Sequence, residues 1–286
     1  MGILNVTPDS FSDGGELPTV QAVVDRAGAM LAAGADVLDV GGESTRPGAT
    51  PVAADGELAR VLPAIAALRQ AWPDVPLSID TFKPLVAEAA IRAGTDILND
   101  VWGLTRDLTP AERTQALENV RAGGTDLPLT AMAETAARLG CPVILMHNRP
   151  DHNYRDFWTD ILLDLKLSLG LARRAGIAGH QLWLDPGFGF AKDVEHNLEV
   201  LKHLDRIIAL GPPVLVGTSR KSTIGKVLGT TVDDRLDGTG ATVVWSIQKG
   251  CHMIRVHDVA PMVRFARMAD AIKAGIGFQP PSPWTP

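Results

Sequence analysis

The feature that most constrains this chain is a repeat of form rather than of sequence. Eight short runs, mostly of Val, Ile and Leu, each close in a polar residue, then pass through a turn-rich loop into a helical segment. The runs span residues 2–6, 36–41, 76–80, 96–100, 142–147, 181–185, 213–217 and 252–256. Runs this short are too brief for helices, and near-continuous apolar runs mark strands buried on both faces, as parallel strands are. Between them, helical periodicity predicts helices over 19–33, 57–72, 84–94, 129–139, 156–175, 195–210, 239–249 and 259–274. Eight such units close as a single (β/α)8 TIM barrel of class α/β. An open doubly wound sheet is the competing fold, but it carries a glycine fingerprint after its first strand, and no G-x-G-x-x-G stands there. The alternation stumbles once. Residues 106–126 hold a charged helix-like piece and then Gly123-Gly124, which reads as an inserted helical segment after strand four. The barrel is expected over 1–279, with 280–286 as a proline-rich tail.

Charge and aromatic content remove several function classes. The 286 residues carry a formal net charge of −6 and contain no basic run, which argues against a nucleic-acid or membrane-surface partner. Aromatic residues make up 5% of the chain, with a single tyrosine, which argues against an aromatic platform for stacking bases. Cys141 and Cys251 each precede an apolar run and read as buried, reduced thiols. Neither a charged-then-apolar leader nor a membrane-length apolar stretch is present, so a cytoplasmic protein is expected.

The strand ends carry Asn5, Asp39, Asp80, Asn99 with Asp100, His147, Asp185, Thr218 with Ser219, and Arg255 with His257. In a barrel these face one rim, the C-terminal rim where active sites lie. Any one Asp or Asn could equally be a turn or cap residue. Polar closure of all eight strands instead makes a cup at the mouth of an apolar barrel. Asp80, Asn99 and Asp185 offer carboxylate and amide edges suited to a flat heterocycle rich in N–H donors. Lys221, Arg255 and His257 offer cationic donors for an anion, and residues 219–222 lead into a helix whose first N–H groups face the same way.

The ordered motifs Met1-Gly-Ile-Leu-Asn-Val-Thr-Pro-Asp-Ser-Phe-Ser-Asp-Gly-Gly15, Asp39-Val-Gly-Gly-Glu-Ser-Thr-Arg-Pro-Gly48, Ser78-Ile-Asp-Thr81, Asp185-Pro-Gly-Phe-Gly-Phe190, Ser219-Arg-Lys-Ser222 and Arg255-Val-His-Asp258 give nearly the whole chain a close resemblance to the dihydropteroate synthase family. That resemblance implies condensation of p-aminobenzoate with 6-hydroxymethyl-7,8-dihydropterin pyrophosphate, release of pyrophosphate, use of Mg2+, and a homodimer. It implies a pterin pocket from Asp80, Asn99, Asp185 and Lys221, with Arg255 stacked on the pterin and sharing the pyrophosphate with His257. Asn5 is implied as the Mg2+ ligand. Phe11 and Thr45, Arg46 and Pro47 are implied to sit on loops that order around substrate, and Phe190 and Ser222 to flank p-aminobenzoate. The leucines at 162, 163, 165, 167, 169 and 171 exceed what one buried helix face uses, which fits a second, intersubunit face.

Two other readings use the same barrel. A methyltetrahydrofolate-binding methyltransferase would need neither Lys221 beside an anion-binding helix start nor the Thr45-Arg46-Pro47 loop. A non-catalytic pterin-binding barrel should have lost loop residues that this chain retains.

Overall fold

The computed structural model describes residues 1–7, 19–44 and 50–277. Phe11, Thr45, Arg46, Pro47 and the 280–286 tail lie outside the described residues. The strands are β1 (Gly2–Asn5), β2 (Leu38–Gly41), β3 (Leu77–Asp80), β4 (Ile97–Asp100), β5 (Val143–Met146), β6 (Leu182–Asp185), β7 (Leu215–Val216) and β8 (Met253–Ile254). The helices are α1 (Val20–Ala32), α2 (Ala54–Ala71), α3 (Pro84–Ala93), α4 (Pro110–Arg121), α5 (Ala131–Leu139), α6 (Phe157–Ala175), α7 (Val194–Lys202), α8 (Asp205–Ile208), α9 (Ser222–Leu228), α10 (Leu236–Lys249) and α11 (Val259–Ala274).

β1 to β6 pair in chain order as one parallel sheet, and β7 pairs with β8. Backbone bonds close the ring. Leu184 N donates to Pro213 O at 2.9 Å, which joins β6 to the β7 run. Ile3 N donates to Val256 O at 2.9 Å, and Val256 N to Met1 O at 3.0 Å, which joins the β8 run to β1. The expected barrel is therefore present, though its last two ladders are shorter than their apolar runs.

The apolar residues divide in a way that locates the site. One small cluster contains Met1, Val37, Ile144 and Leu215, with Ile97, Trp183 and Met253 packed on it. These come from seven different strand segments and from no helix, so they meet inside the ring. Their strand neighbours Leu38, Leu98, Val143, Leu145, Leu182 and Leu184 belong to the larger core beneath the helices. Side chains alternate along a strand, so residues two or four beyond a lumen residue also point inward. Counting up from Met1, Val37, Ile97, Trp183 and Met253 reaches Asn5, Asp39, Asn99, Asp185 and Arg255. Ser78 and Asp80 share this phase, because their register partners are Asp39 and Asn99 respectively.

The inserted segment forms α4, started by a reciprocal cap in which Thr109 Oγ1 accepts from Glu112 N and Glu112 Oε2 accepts from Thr109 N. It also corrects the reading of the leucine-rich helix. Leu163, Leu165, Leu167, Leu169 and Leu171 of α6 are all buried within this one chain. The second face is covered by α4 and α5 and by Leu127 beside Gly170, so it is not free for a subunit contact. The helix expected over 195–210 is broken into α7 and α8. His203 leaves the helical region at φ −119°, and Trp245 Nε1 donates to Leu201 O at 2.9 Å, the carbonyl that a continuous helix would have used itself. Both cysteines are free thiols, Cys141 buried and Cys251 half-buried. Among the described residues no helix is long and apolar enough to cross a membrane.

Candidate active site

The inward phase delivers a buried ionic cluster at the C-terminal ends of the strands. Arg255 Nε donates to Asp39 Oδ2 at 2.6 Å, and its Nη2 donates to Asp80 Oδ2 at 2.8 Å. Asn99 Nδ2 also donates to Asp39 Oδ2, at 3.1 Å. Asp39 Oδ1 and Asp80 Oδ1 are buried and have no hydrogen-bond partner among the described residues. Two orphaned carboxylate acceptors in one cluster call for an explanation, and a ligand with N–H donors supplies one. Burial, only partly offset by Arg255, pushes the Asp80 carboxyl up to about 7. Burial alone would lower the Arg255 guanidinium, but Asp39 and Asp80 outweigh it and hold the group above its usual range.

Asp185 ends β6 and turns the chain. Its Oδ1 accepts from Gly187 N at 2.7 Å, and burial raises its carboxyl against the opposing pull of that N–H, Lys221 and Arg255. Gly187 sits at φ +65°, and a Cβ there would lie 1.9 Å from His147 O, so only glycine fits. Lys221 reaches this loop from the other side. Its Nζ donates to Phe188 O at 2.7 Å and lies 4.1 Å from the centre of the Phe190 ring. His257 is held by Ser219, whose Oγ lies 3.0 Å from Nδ1 and accepts from the His257 backbone N–H at 3.1 Å. The two neighbouring motifs are also clasped to each other, Arg220 Nε donating to Asp258 Oδ2 at 2.7 Å.

The structure thus brings together Asp80, Asn99, Asp185, Phe190, Lys221 and Arg255, with Asn5 on the adjoining strand and His257 and Ser222 at the β7–β8 side of the rim. Ser222 is exposed at the start of α9, a helix of seven residues. Three strand-end residues do not enter the cup, one of them Thr218, whose Oγ1 accepts from Thr242 of α10 at 2.8 Å. Asp100 is out of phase, and its carboxylate accepts from Trp102 N and Leu104 N, which makes it a turn residue. His147, also out of phase, faces α6, where its Nε2 lies 3.2 Å from Asp164 Oδ2.

Burial, with the Lys192 charge beside it, pulls the His147 imidazole down to about 4, so it is neutral in the fold and must take up a proton when acid unfolds the chain. Because the folded value is the lower one, the stability His147 confers is complete above about 6.5 and is lost as pH falls towards 4. Denaturant midpoints of the parent and His147→Asn across that window are expected to diverge by roughly 3 kcal/mol in pH dependence. Parallel pH profiles would show that the imidazole is not held neutral.

Sequence reasoning missed two residues of the site. Asp39 was legible as a strand end but not as the acceptor shared by Arg255 and Asn99; its signal is the even spacing from Val37. Lys192 is buried, and nothing in its sequence neighbourhood marks it so.

Asn5 is the residue to test as a metal ligand. Its amide oxygen lies against Gly41 on the neighbouring strand, and no hydrogen bond engages its side chain among the described residues. Those residues contain no group of three or more His, Cys, Asp or Glu able to hold a metal by itself. One neutral oxygen donor suits Mg2+, which takes one or two protein ligands and completes its shell with phosphate oxygens and water.

Comparison with known proteins decides the family. A family model described as pterin binding enzyme matches residues 1–257. The chain belongs to the pterin-binding enzyme family. Within it, the chain is 45% identical over 278 residues to the dihydropteroate synthase of Bacillus subtilis, spanning 96% of this chain and 90% of that one. The Streptococcus pyogenes dihydropteroate synthase is also 45% identical, over 91% of this chain and 90% of its own. Among solved structures, the Clostridium difficile dihydropteroate synthase crystallised with pteroic acid superposes with TM-score 0.83 at 44% identity, covering 95% of each chain. The Xanthomonas albilineans enzyme with 4-aminobenzoic acid gives TM-score 0.83 at 40% identity, covering 96% of this chain and 92% of that one. The Yersinia pestis enzyme in a sulfonamide drug complex gives TM-score 0.83 at 38% identity, covering 96% and 94%. The family's barrel is therefore the barrel described above.

Proposed function

We propose that the rim cup performs the dihydropteroate synthase reaction, joining p-aminobenzoate to 6-hydroxymethyl-7,8-dihydropterin pyrophosphate. The carrying observation is the Asp39–Arg255–Asp80 cluster with its two orphaned acceptors, set beside Asp185 and Lys221. Carboxylate and amide oxygens of Asp80, Asn99 and Asp185 receive the ring N–H and amino groups of the pterin, and Lys221 donates to its acceptor edge. Arg255 presents its guanidinium to the ring and, with His257, to the pyrophosphate. Phe190, Ser222 and the Thr45-Arg46-Pro47 segment flank p-aminobenzoate.

In the reaction the C–O bond between the pterin methylene and pyrophosphate breaks, its electron pair leaving with pyrophosphate. The positive charge that develops on the methylene spreads into the electron-rich ring, where the Asp80 and Asp185 carboxylates oppose it. The amine nitrogen of p-aminobenzoate then forms the C–N bond and loses its proton to solvent. No side-chain nucleophile is needed. Asn5 is the residue that would hold Mg2+, which would supply charge neutralisation on the leaving group. Residues 1–279 act as one barrel domain of a cytoplasmic enzyme. It pairs as a homodimer, for which exposed Trp245 of α10 and Met268 and Ile272 of α11 offer apolar surface in place of α6.

With both substrates and Mg2+, the purified chain is expected to release one pyrophosphate per dihydropteroate formed. EDTA should abolish release, and sulfonamides should inhibit it competitively with p-aminobenzoate. No pyrophosphate under these conditions, or sulfonamide inhibition that p-aminobenzoate cannot relieve, would overturn the corresponding part of the reading.

A further inference from the structure

Lys192 is 6% exposed, and no carboxylate lies within ion-pair distance of its ammonium among the described residues. A buried cation without an ionic partner is disfavoured unless its protons are all used. Here all three are used. Nζ lies 2.8 Å from His147 Nδ1 and donates to Gly187 O and to Phe190 O, each at 3.1 Å. The Asp164 carboxylate beside Nε2 can only accept, so the imidazole proton sits on Nε2 and His147 Nδ1 accepts from Lys192, whose ammonium burial pulls down to about 7. Asp164 Oδ1 in turn accepts from Arg113 of α4 at 2.6 Å. A continuous buried path therefore runs from the inserted helix to the loop after β6.

That loop cannot hold its shape by backbone preference alone. Gly187 and Gly189 have φ +65° and +83°, and Ala191, which has a Cβ, sits at φ +47°. Such a conformation persists only where the surroundings over-determine it. Tyr154 Oη donates to Ala191 O at 3.0 Å, and Asn197 Oδ1 accepts from Gly189 N at 2.6 Å. Lys192 restrains the loop from its buried side, and it pins both ends of the tight turn that presents Phe188 O and the Phe190 ring to Lys221.

We propose that Lys192 is a positioning residue: it fixes the carbonyls of Gly187 and Phe190 so that the loop aims Lys221 and Phe190 into the cup. It touches no reacting atom. The role deepens the proposed synthase reading and rests on it for its effect on rate, but not for its effect on the loop.

The test is Lys192→Ala, which leaves a space that ethylammonium can refill. Amide hydrogen exchange at 187–190 should speed up by at least about tenfold while β5 and β6 keep parental protection. The kcat/KM for dihydropteroate formation should fall by about ten- to a hundredfold, the range for losing charge-assisted hydrogen bonds. Added ethylammonium should restore loop protection and turnover in parallel, which ties both losses to the missing ammonium. Parental exchange at 187–190 would refute the proposal, whatever the activity. So would loss of protection spreading through β5 and β6, because Lys192 would then be holding the barrel itself. If Lys192→Ala does not fold, the same exchange measurement on Lys192→Met decides between these outcomes. Absence of pyrophosphate from the parent would count against the synthase reading and leave the exchange result to judge Lys192.

Discussion

Arg255→Met should destabilise the fold by about 3–5 kcal/mol, the usual cost of removing one member of a buried ionic group. Asp39 is fully buried and Asp80 nearly so, and Arg255 is the cation that both carboxylates bond. Methionine keeps most of the aliphatic stem, so the loss reports the guanidinium and not an emptied cavity. With the guanidinium gone, Asp80, already pushed up to about 7 by burial, should hold its proton to still higher pH. A carboxyl with a raised folded value loses its stabilising protonation as pH rises. The gap between parent and variant should therefore be widest in mild alkali and narrow towards pH 5. Adding Asp39→Asn and Asp80→Asn to Arg255→Met removes the stranded charges at constant shape and should recover at least half of the loss. The check is denaturant unfolding of the parent, the single variant and the triple variant across pH 5–9. A single variant that unfolds at the parental midpoint would show that this cluster does not hold the strand ends together.

How much of this was legible beforehand follows from the physics of each signal. The barrel could be read because eight buried parallel strands leave eight apolar runs, and because strand ends must leave the core in turn-forming polar residues. Strand phase could not be read. A strand buried on both faces is apolar at every position, so alternation, the cue that separates inside from outside, is erased. That is why Asp100 and His147 looked equivalent to Asn99 and Asp185, although one member of each comparison points into the lumen and the other away from it. It is also why Asp39, in phase with Val37, could be read as a strand end but not as the acceptor that Arg255 and Asn99 share. The surplus leucines of α6 failed for a different reason. Periodicity reports that a helix face is covered, but not by what, and α4 is an insertion whose weak amphipathicity gives no hint of its docking partner. The charge on Lys192 hid its burial, since a lysine in a glycine-rich loop is ordinarily solvated.

Asp185→Asn should lower kcat/KM by about a hundred- to a thousandfold, the scale for removing one preorganised group that faces developing charge. Stability should not fall with it. The amide oxygen can still accept from Gly187 N, and the change removes a carboxylate whose ionised form burial already disfavours. The melting temperature is therefore expected at or slightly above the parental value. Lys221→Ala should cost less in rate, about ten- to a hundredfold, through one lost charge-assisted hydrogen bond. Its stem stands at the rim and not in the core, so no closed cavity is left behind. The two groups also act on each other, since Lys221 is among the charges opposing the upward push on the Asp185 carboxyl. The double variant should accordingly lose less than the product of the two single losses. Steady-state kinetics and thermal unfolding of all three variants provide the test. A Lys221→Ala protein that melts far below the parent would make the lysine a structural strut. Single variants with parental kcat/KM would remove the cup from the chemistry altogether.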